Sequence, residues 1–215
     1  MNVSQAMTTR RSCRAFLDKP VPRETLERLM QLACSAPSAI NLQPWQFTVV
    51  QGPEVARLAK KLLKAHAEQG VSCGPDNLAP LPQVYLERQK ELSRRLGPLL
   101  AEAGAGRDFI DQGSLRFYGA PAMVVATLDG VFPAARSLDL GLALGWLLLA
   151  AMELGLDTCP VGLVCAYEGA IKDFLNIDPS RRVLLCVAVG YGDPDSPINR
   201  MRAPRAELGE VVRWY

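Results

Sequence analysis

The chain has 215 residues and a mass of 23.4 kDa; with 49% hydrophobic and 21% charged residues it excludes global disorder and suits one large domain with a sizeable core. A net charge of +2 and a pI near 8.2 exclude a general nucleic-acid binder, which needs basic side chains well in excess of acids. The six cysteines form no Cys-x-x-Cys pair to accompany the single histidine, so no metal site is expected.

In chain order, Met1 to Arg11 reads as a short flexible start, polar and then basic, without the apolar run of a secretory leader. With cysteines in apolar surroundings, as at Cys186, this points to a reduced, cytoplasmic protein. Arg10, Arg11 and Arg14 then surround Ser12 and lead to Phe16. Guanidinium forks with a hydroxyl make a receptor for a dianionic phosphate, each charge-assisted bond worth about 1.5–3 kcal/mol. Thr25 to Ser35 has the helical period and Pro37 ends it. The loop Ala36 to Trp45 holds Ser38, Asn41 and Gln43 between two prolines, more hydrogen-bonding capacity than a connector needs. Gln46 to Gln51 reads as a strand and Glu54 to Gln69 as an amphipathic helix. His66 lies on that helix among Lys60, Lys61, Lys64 and Glu68, with no orienting partner nearby in sequence, and is read as a solvated structural residue.

From about 66 to 112 the composition changes to a helical insert. A polar helical stretch, Gln83 to Leu96, is broken up by Gly74-Pro75, Pro80, Pro82, Gly97-Pro98 and Gly104 to Gly106. It is a candidate lid and equally a surface insertion, and its Arg88, Arg94 and Arg95 could meet a 2′-phosphate or face solvent. Pro121 to Leu128 and Val183 to Val189 are nearly all apolar and read as central strands. Between them come a helix over 138–154, expected to be buried on most sides and too short in its apolar run to span a membrane, a turn over Gly155 to Gly162, and a helix Glu168 to Leu175. Local positive charge returns at Arg200, Arg202 and Arg205. Glu210 to Tyr215 is β-prone, and Trp214 and Tyr215 need burial that a partner subunit could supply.

Arg-Arg-Ser-x-Arg-x-Phe followed by Ala-Pro-Ser-Ala-Ile-Asn-Leu-Gln-Pro-Trp resembles the paired N-terminal signature of the FMN-dependent nitroreductase family. Gly155 to Gly162 resembles that family's flavin-edge loop, and Val189 to Arg202 its closing strand and basic turn. Phe117 to Pro121 and the Asp193 to Asn199 stretch look most like the branch that includes p-nitrobenzoate reductases.

The resemblance implies an α+β fold, a mixed sheet flanked by helices, in a single domain over 1–215 that forms an interlocked homodimer with an exchanged C-terminal segment. It implies bound FMN, with NAD(P)H as co-substrate and a nitroaromatic, quinone or similar small electron-poor acceptor, reduced by a ping-pong mechanism; neither nucleic acid nor membrane is a partner. By matching positions, Arg10, Arg11, Ser12 and Arg14 would hold the phosphate, ribityl chain and pyrimidine edge, Pro37, Ser38 and Asn41 would come from the partner chain, Pro160, Val161 and Gly162 would line the isoalloxazine, and Arg200 and Arg202 would approach the phosphate. The flavin would carry the chemistry, with no catalytic side chain required. A dehalogenase or other specialised FMN reaction on the same fold, or a non-enzymatic FMN-binding protein, are the alternatives. Two departures stand out: Val161-Gly162-Leu163 has no acid where many members carry one, and Ser38 precedes an alanine where a second serine is frequent.

Overall fold

The two near-continuous apolar segments become the middle strands of one four-stranded sheet. The computed structural model describes residues 2–71 and 80–215. Its helices are α1 (Val3–Thr9), α2 (Arg23–Cys34), α3 (Pro53–Gln69), α4 (Gln83–Glu102), α5 (Phe109–Leu115), α6 (Ser137–Glu153), α7 (Glu168–Leu175) and α8 (Leu208–Val211). The strands β1 (Trp45–Gln51), β2 (Ala122–Asp129), β3 (Asp157–Val161) and β4 (Arg181–Gly190) lie in the order β1-β2-β4-β3. All three ladders are antiparallel, and the parallel element among the described residues is a bridge between Ser12 and Thr158 on the outer side of β3.

Period-two alternation splits the sheet between two cores. Met123, Val125, Cys186 and Ala188 face Leu58 and Leu62 of α3 and Ile171 of α7. Ala122, Val124, Val187 and Val189 face Leu26 and Leu29 of α2 and Leu147 and Ala151 of α6. Helices therefore cover both faces, which is why the central strands tolerate no polar alternation.

Several expectations are corrected. The start of the chain is the helix α1, closed by a capping box in which the Asn2 side chain accepts from the Gln5 N–H at 2.8 Å and the Gln5 side chain from the Asn2 N–H at 3.0 Å. The turn expected over 155–162 tightens at Gly155 alone, in the left-handed region at φ 71°, and residues 157–161 form β3. Pro160 is tolerated there because β3 borders the sheet. α4 runs on through Gly97-Pro98 to Glu102, where Arg200 of the 197–200 turn pairs with it. The β-prone tail instead begins with the short helix α8, which has a capping box between Glu207 and Glu210. The expected break at Gly74-Pro75 lies outside the described residues.

α6 is also less enclosed than expected. Leu138, Leu142 and Trp146, one turn apart, form an exposed stripe opposite the face that meets α2. Together with the 3₁₀ turn before it, the helical run Ala134–Glu153 reaches 20 residues and is apolar enough by length and composition to cross a membrane. The length argument therefore fails, while the packing of Leu147 and Ala151 into the core identifies a protein-facing helix.

At Gly190 an added Cβ would lie 2.5 Å from Cδ of Pro121 and 3.1 Å from Cδ1 of Phe16. Gly190→Ala is expected to lower stability by about 1–3 kcal/mol, as overpacking does, read from the urea-unfolding midpoint. An unchanged midpoint would mean the N-terminal segment is not seated on the end of β4.

Candidate functional site

Backbone pairing lays the first basic segment along the end of the sheet. The Cys13 N–H donates to the Thr158 carbonyl at 2.9 Å, the Leu17 N–H to Tyr191 at 2.8 Å, and the Asp193 N–H to Ala15 at 3.0 Å. Asn199, only 4% exposed, locks this arrangement. Its Oδ1 accepts the Arg14 N–H at 2.8 Å, and its Nδ2 donates to the carbonyls of Ala15 at 2.7 Å and Asp193 at 2.9 Å. Arg202 Nη1 in turn donates to the Asn199 carbonyl at 3.1 Å. One buried amide thus joins basic segments 185 residues apart in sequence.

The Ser12–Thr158 bridge sets the segment of Arg10, Arg11, Ser12 and Arg14 against β3, which ends with Pro160 and Val161 and is followed by Gly162. Arg11 Nη1 lies 3.6 Å from Asp157 Oδ1, and the Arg14 guanidinium is 6.0 Å from the Tyr118 ring centre. Burial, then the neighbouring Arg205 guanidinium, pushes the Arg10 pKa down. Nε of Arg11 and Nε of Arg14 are buried without a hydrogen-bond partner. Among the described residues, no carboxylate comes within 4.0 Å of Arg10, Arg14, Arg202 or Arg205. Gathered cations with unmet donors fit an anion. An added Cβ at Gly162 would meet no atom within 4 Å, and its φ of −89° is open to any residue, so the glycine leaves space over this edge without relaxing the backbone.

The two C-terminal arginines singled out from the sequence behave differently. Arg202 bonds the carbonyls of Asn199 and Met201, inside the linked segment. Arg200 turns outward, over half exposed, and is engaged by Glu102 of α4. Arg205, three residues beyond Arg202, donates through Nη1 to the carbonyls of Ala203 at 2.9 Å and Pro204 at 3.1 Å, and its charge contributes, after burial, to the lowered Arg10 pKa. The signal available in sequence was the pair of arginines around Pro204, whose partners only the fold assigns. The insert arginines are likewise occupied, Arg88 by Glu210 and both Arg94 and Arg95 by Glu91.

The loop of Pro37, Ser38 and Asn41 stands apart from this cluster within one protomer; no hydrogen bond or ion pair among the described residues joins the two. Ser38 Oγ accepts the Gln43 N–H at 2.9 Å, and Gln43 Nε2 donates to Asn41 Oδ1 at 3.1 Å. Ile40, Asn41 and Gln43 all hold left-handed backbone, at φ 44°, 58° and 46°. Such residues cost about 1–3 kcal/mol each and cluster where a ligand or partner must be met. Ile40 is 90% exposed at the apex.

His66 does have a partner, contrary to expectation. Its Nδ1 lies 2.8 Å from the Tyr167 hydroxyl, which reaches the Val71 carbonyl at 3.3 Å, because α3 packs against the turn before α7. A cavity of about 440 Å³ opens beside Arg14, lined also by Phe16, Phe109, Gln112, Arg116 and Tyr118.

With this geometry in hand, comparison with known proteins is informative. The sequence model of the Nitroreductase family matches residues 7–191. The chain is 36% identical to the nitroreductase NfnB of Mycolicibacterium smegmatis over 212 residues, covering 95% of this chain and 89% of that protein. It is 32% identical to the 4-nitrobenzoate reductase of Pseudomonas putida over 206 residues, covering 93% and 89%. The crystal structure of the FMN-dependent NfnB from Mycobacterium smegmatis in complex with NADPH superimposes with a TM-score of 0.87 at 33% identity, covering 99% of this chain and 97% of that one.

The thiols near the cluster are packing groups. Burial pushes Cys159 up to about 11 and Cys13 up to about 12, despite the cations around them. Both are expected to stay unalkylated by iodoacetamide in the folded protein at pH 8, while the exposed Cys34 is labelled, as read by peptide mass spectrometry. Labelling of Cys159 at the rate of Cys34 would contradict this.

Proposed function

This chain belongs to the nitroreductase family, and from that premise we propose that it is an FMN-dependent oxidoreductase using NAD(P)H to reduce nitroaromatics, quinones or similar electron-poor acceptors. The observation that carries this reading is the Asn199 amide tying the segment of Arg14 to that of Arg202, with Nε of Arg11 and of Arg14 buried there without a partner. Bound FMN would supply two-electron redox chemistry between the nucleotide and the acceptor. Arg10 would pair with its phosphate, with the charge of Arg205 adding to the attraction. Arg11, Ser12 and Arg14 would hold the ribityl chain and pyrimidine edge, the guanidinium of Arg14 offering positive charge there. Pro160, Val161 and Gly162 line the ring, and Arg202 supports the phosphate end. Arg200 leaves this set, because its guanidinium is engaged by Glu102. No side chain of the chain is needed as nucleophile or general base, in keeping with a ping-pong reaction whose redox chemistry the bound flavin would supply.

Pro37, Ser38 and Asn41 reach the site from a second copy. The apolar stripe on α6 continues into Val3 and Met7 of α1 around a groove of about 410 Å³, the outer edge of β1 pairs with no strand among the described residues, and Trp214 is 82% exposed. A cytoplasmic homodimer with exchanged C-terminal segments covers all three. Residues 1–215 then form one domain, with the insert over about 66–112 shaping acceptor choice.

The purified protein is expected to be yellow, to bleach anaerobically with NADH or NADPH, and to turn over 4-nitrobenzoate; a protein that binds no FMN and oxidises neither nucleotide would refute the reading. Within it, Arg10→Ala and Arg205→Ala should each weaken FMN binding roughly 10- to 100-fold, the loss of a charge-assisted bond. Arg200→Ala should leave the affinity unchanged, and equal losses at positions 200 and 205 would restore Arg200 to the site.

A further inference from the structure

We propose that Asp139 is a positioning residue that holds the loop of residues 37–43 in its ligand-facing conformation, and so sets flavin affinity across the dimer; this rests on the reading that the loop completes a second copy's FMN site. Asp139 lies in the first turn of α6 and is only 5% exposed. A buried carboxylate is retained at a cost unless both oxygens are used. Here both are: Oδ1 accepts the Ala39 N–H at 3.2 Å, and Oδ2 meets Arg136 Nη1 at 3.2 Å.

The hydrogen bonds of residues 37–43 otherwise close on the loop itself, between Ser38, Ala39, Asn41, Leu42 and Gln43. Among the described residues, the bond from Ala39 to Asp139 is the one hydrogen bond that ties this segment to the body of the protein. Arg181 reaches the carbonyl of Pro44 only after the loop has ended. A run of left-handed residues including β-branched Ile40 persists only where its surroundings over-determine it. Asp139 supplies that determination at the point where the left-handed run begins. Its helical neighbours Leu138 and Leu142 belong to the exposed stripe assigned to the second copy. The same turn of α6 thus meets the partner and aims the loop at the partner's flavin.

The test measures FMN dissociation constants by flavin fluorescence, together with hydrogen exchange of residues 37–43, in the holoenzyme. Asp139→Ala should weaken FMN roughly tenfold or more, the worth of a charge-assisted bond, and speed exchange at Ala39. Asp139→Asn, which keeps an acceptor for Ala39, should recover most of the affinity. Ala39→Pro removes the donor and leaves the acid, and should reproduce the loss whether or not Asp139→Ala folds. A purely structural role would lower the unfolding midpoint and leave the affinity of the folded protein untouched. Unchanged affinity in both Asp139→Ala and Ala39→Pro, with Asn41→Ala weakened, would overturn the proposal alone. Unchanged affinity in Asn41→Ala would remove the loop from the flavin site and overturn the proposal together with the reading beneath it.

Discussion

Everything at this site depends on bringing guanidinium groups together against their own repulsion. The Asn199 amide does so by spending both ends of its side chain on the backbone of residues 14, 15 and 193. Because these bonds are buried, breaking them would leave unsatisfied polar groups, each costing about 1–3 kcal/mol. The penalty makes the crossing of the two segments a fixed feature rather than an encounter of flexible tails. Nε of Arg11 and of Arg14 is left buried there without a hydrogen-bond partner, and among the described residues no carboxylate lies within 4.0 Å of Arg14.

The sheet supplies the platform for this arrangement. β3 is short and borders the sheet, so its outer side is free to take the N-terminal segment at Ser12, and β4 continues past it to carry the chain toward Asn199. On the opposite side, α2 and α6 bury the second core while leaving the apolar stripe of α6 uncovered. The anion-binding cluster and the strained loop around Ile40 lie apart in one protomer. On the proposed reading they form one site when that stripe brings a second protomer against the first, which would tie dimerisation to cofactor binding.

Much of this was legible in the chain. β2 and β4 declared themselves because burial on both faces demands continuous apolar residues, and α7 because its period is short and clean. β3 did not, since Thr-Cys-Pro-Val is brief and carries a proline that only a border position allows. α1 was hidden because it is only seven residues long and begins with a capping exchange between Asn2 and Gln5, residue types equally at home in a loop. Arg200 and Arg205 were indistinguishable as letters. The difference lies in Glu102, which α4 reaches only by running through Pro98. Residue type pointed to anion chemistry, and the tertiary contacts give each arginine its partners.

The most direct test is a crystal structure of the FMN-loaded protein. The account predicts the phosphate within hydrogen-bonding distance of Arg10 and Arg205, the ring over Gly162, and Ser38 and Asn41 of a second copy at the same flavin. A phosphate bound away from both arginines, or a flavin enclosed by one protomer alone, would contradict it.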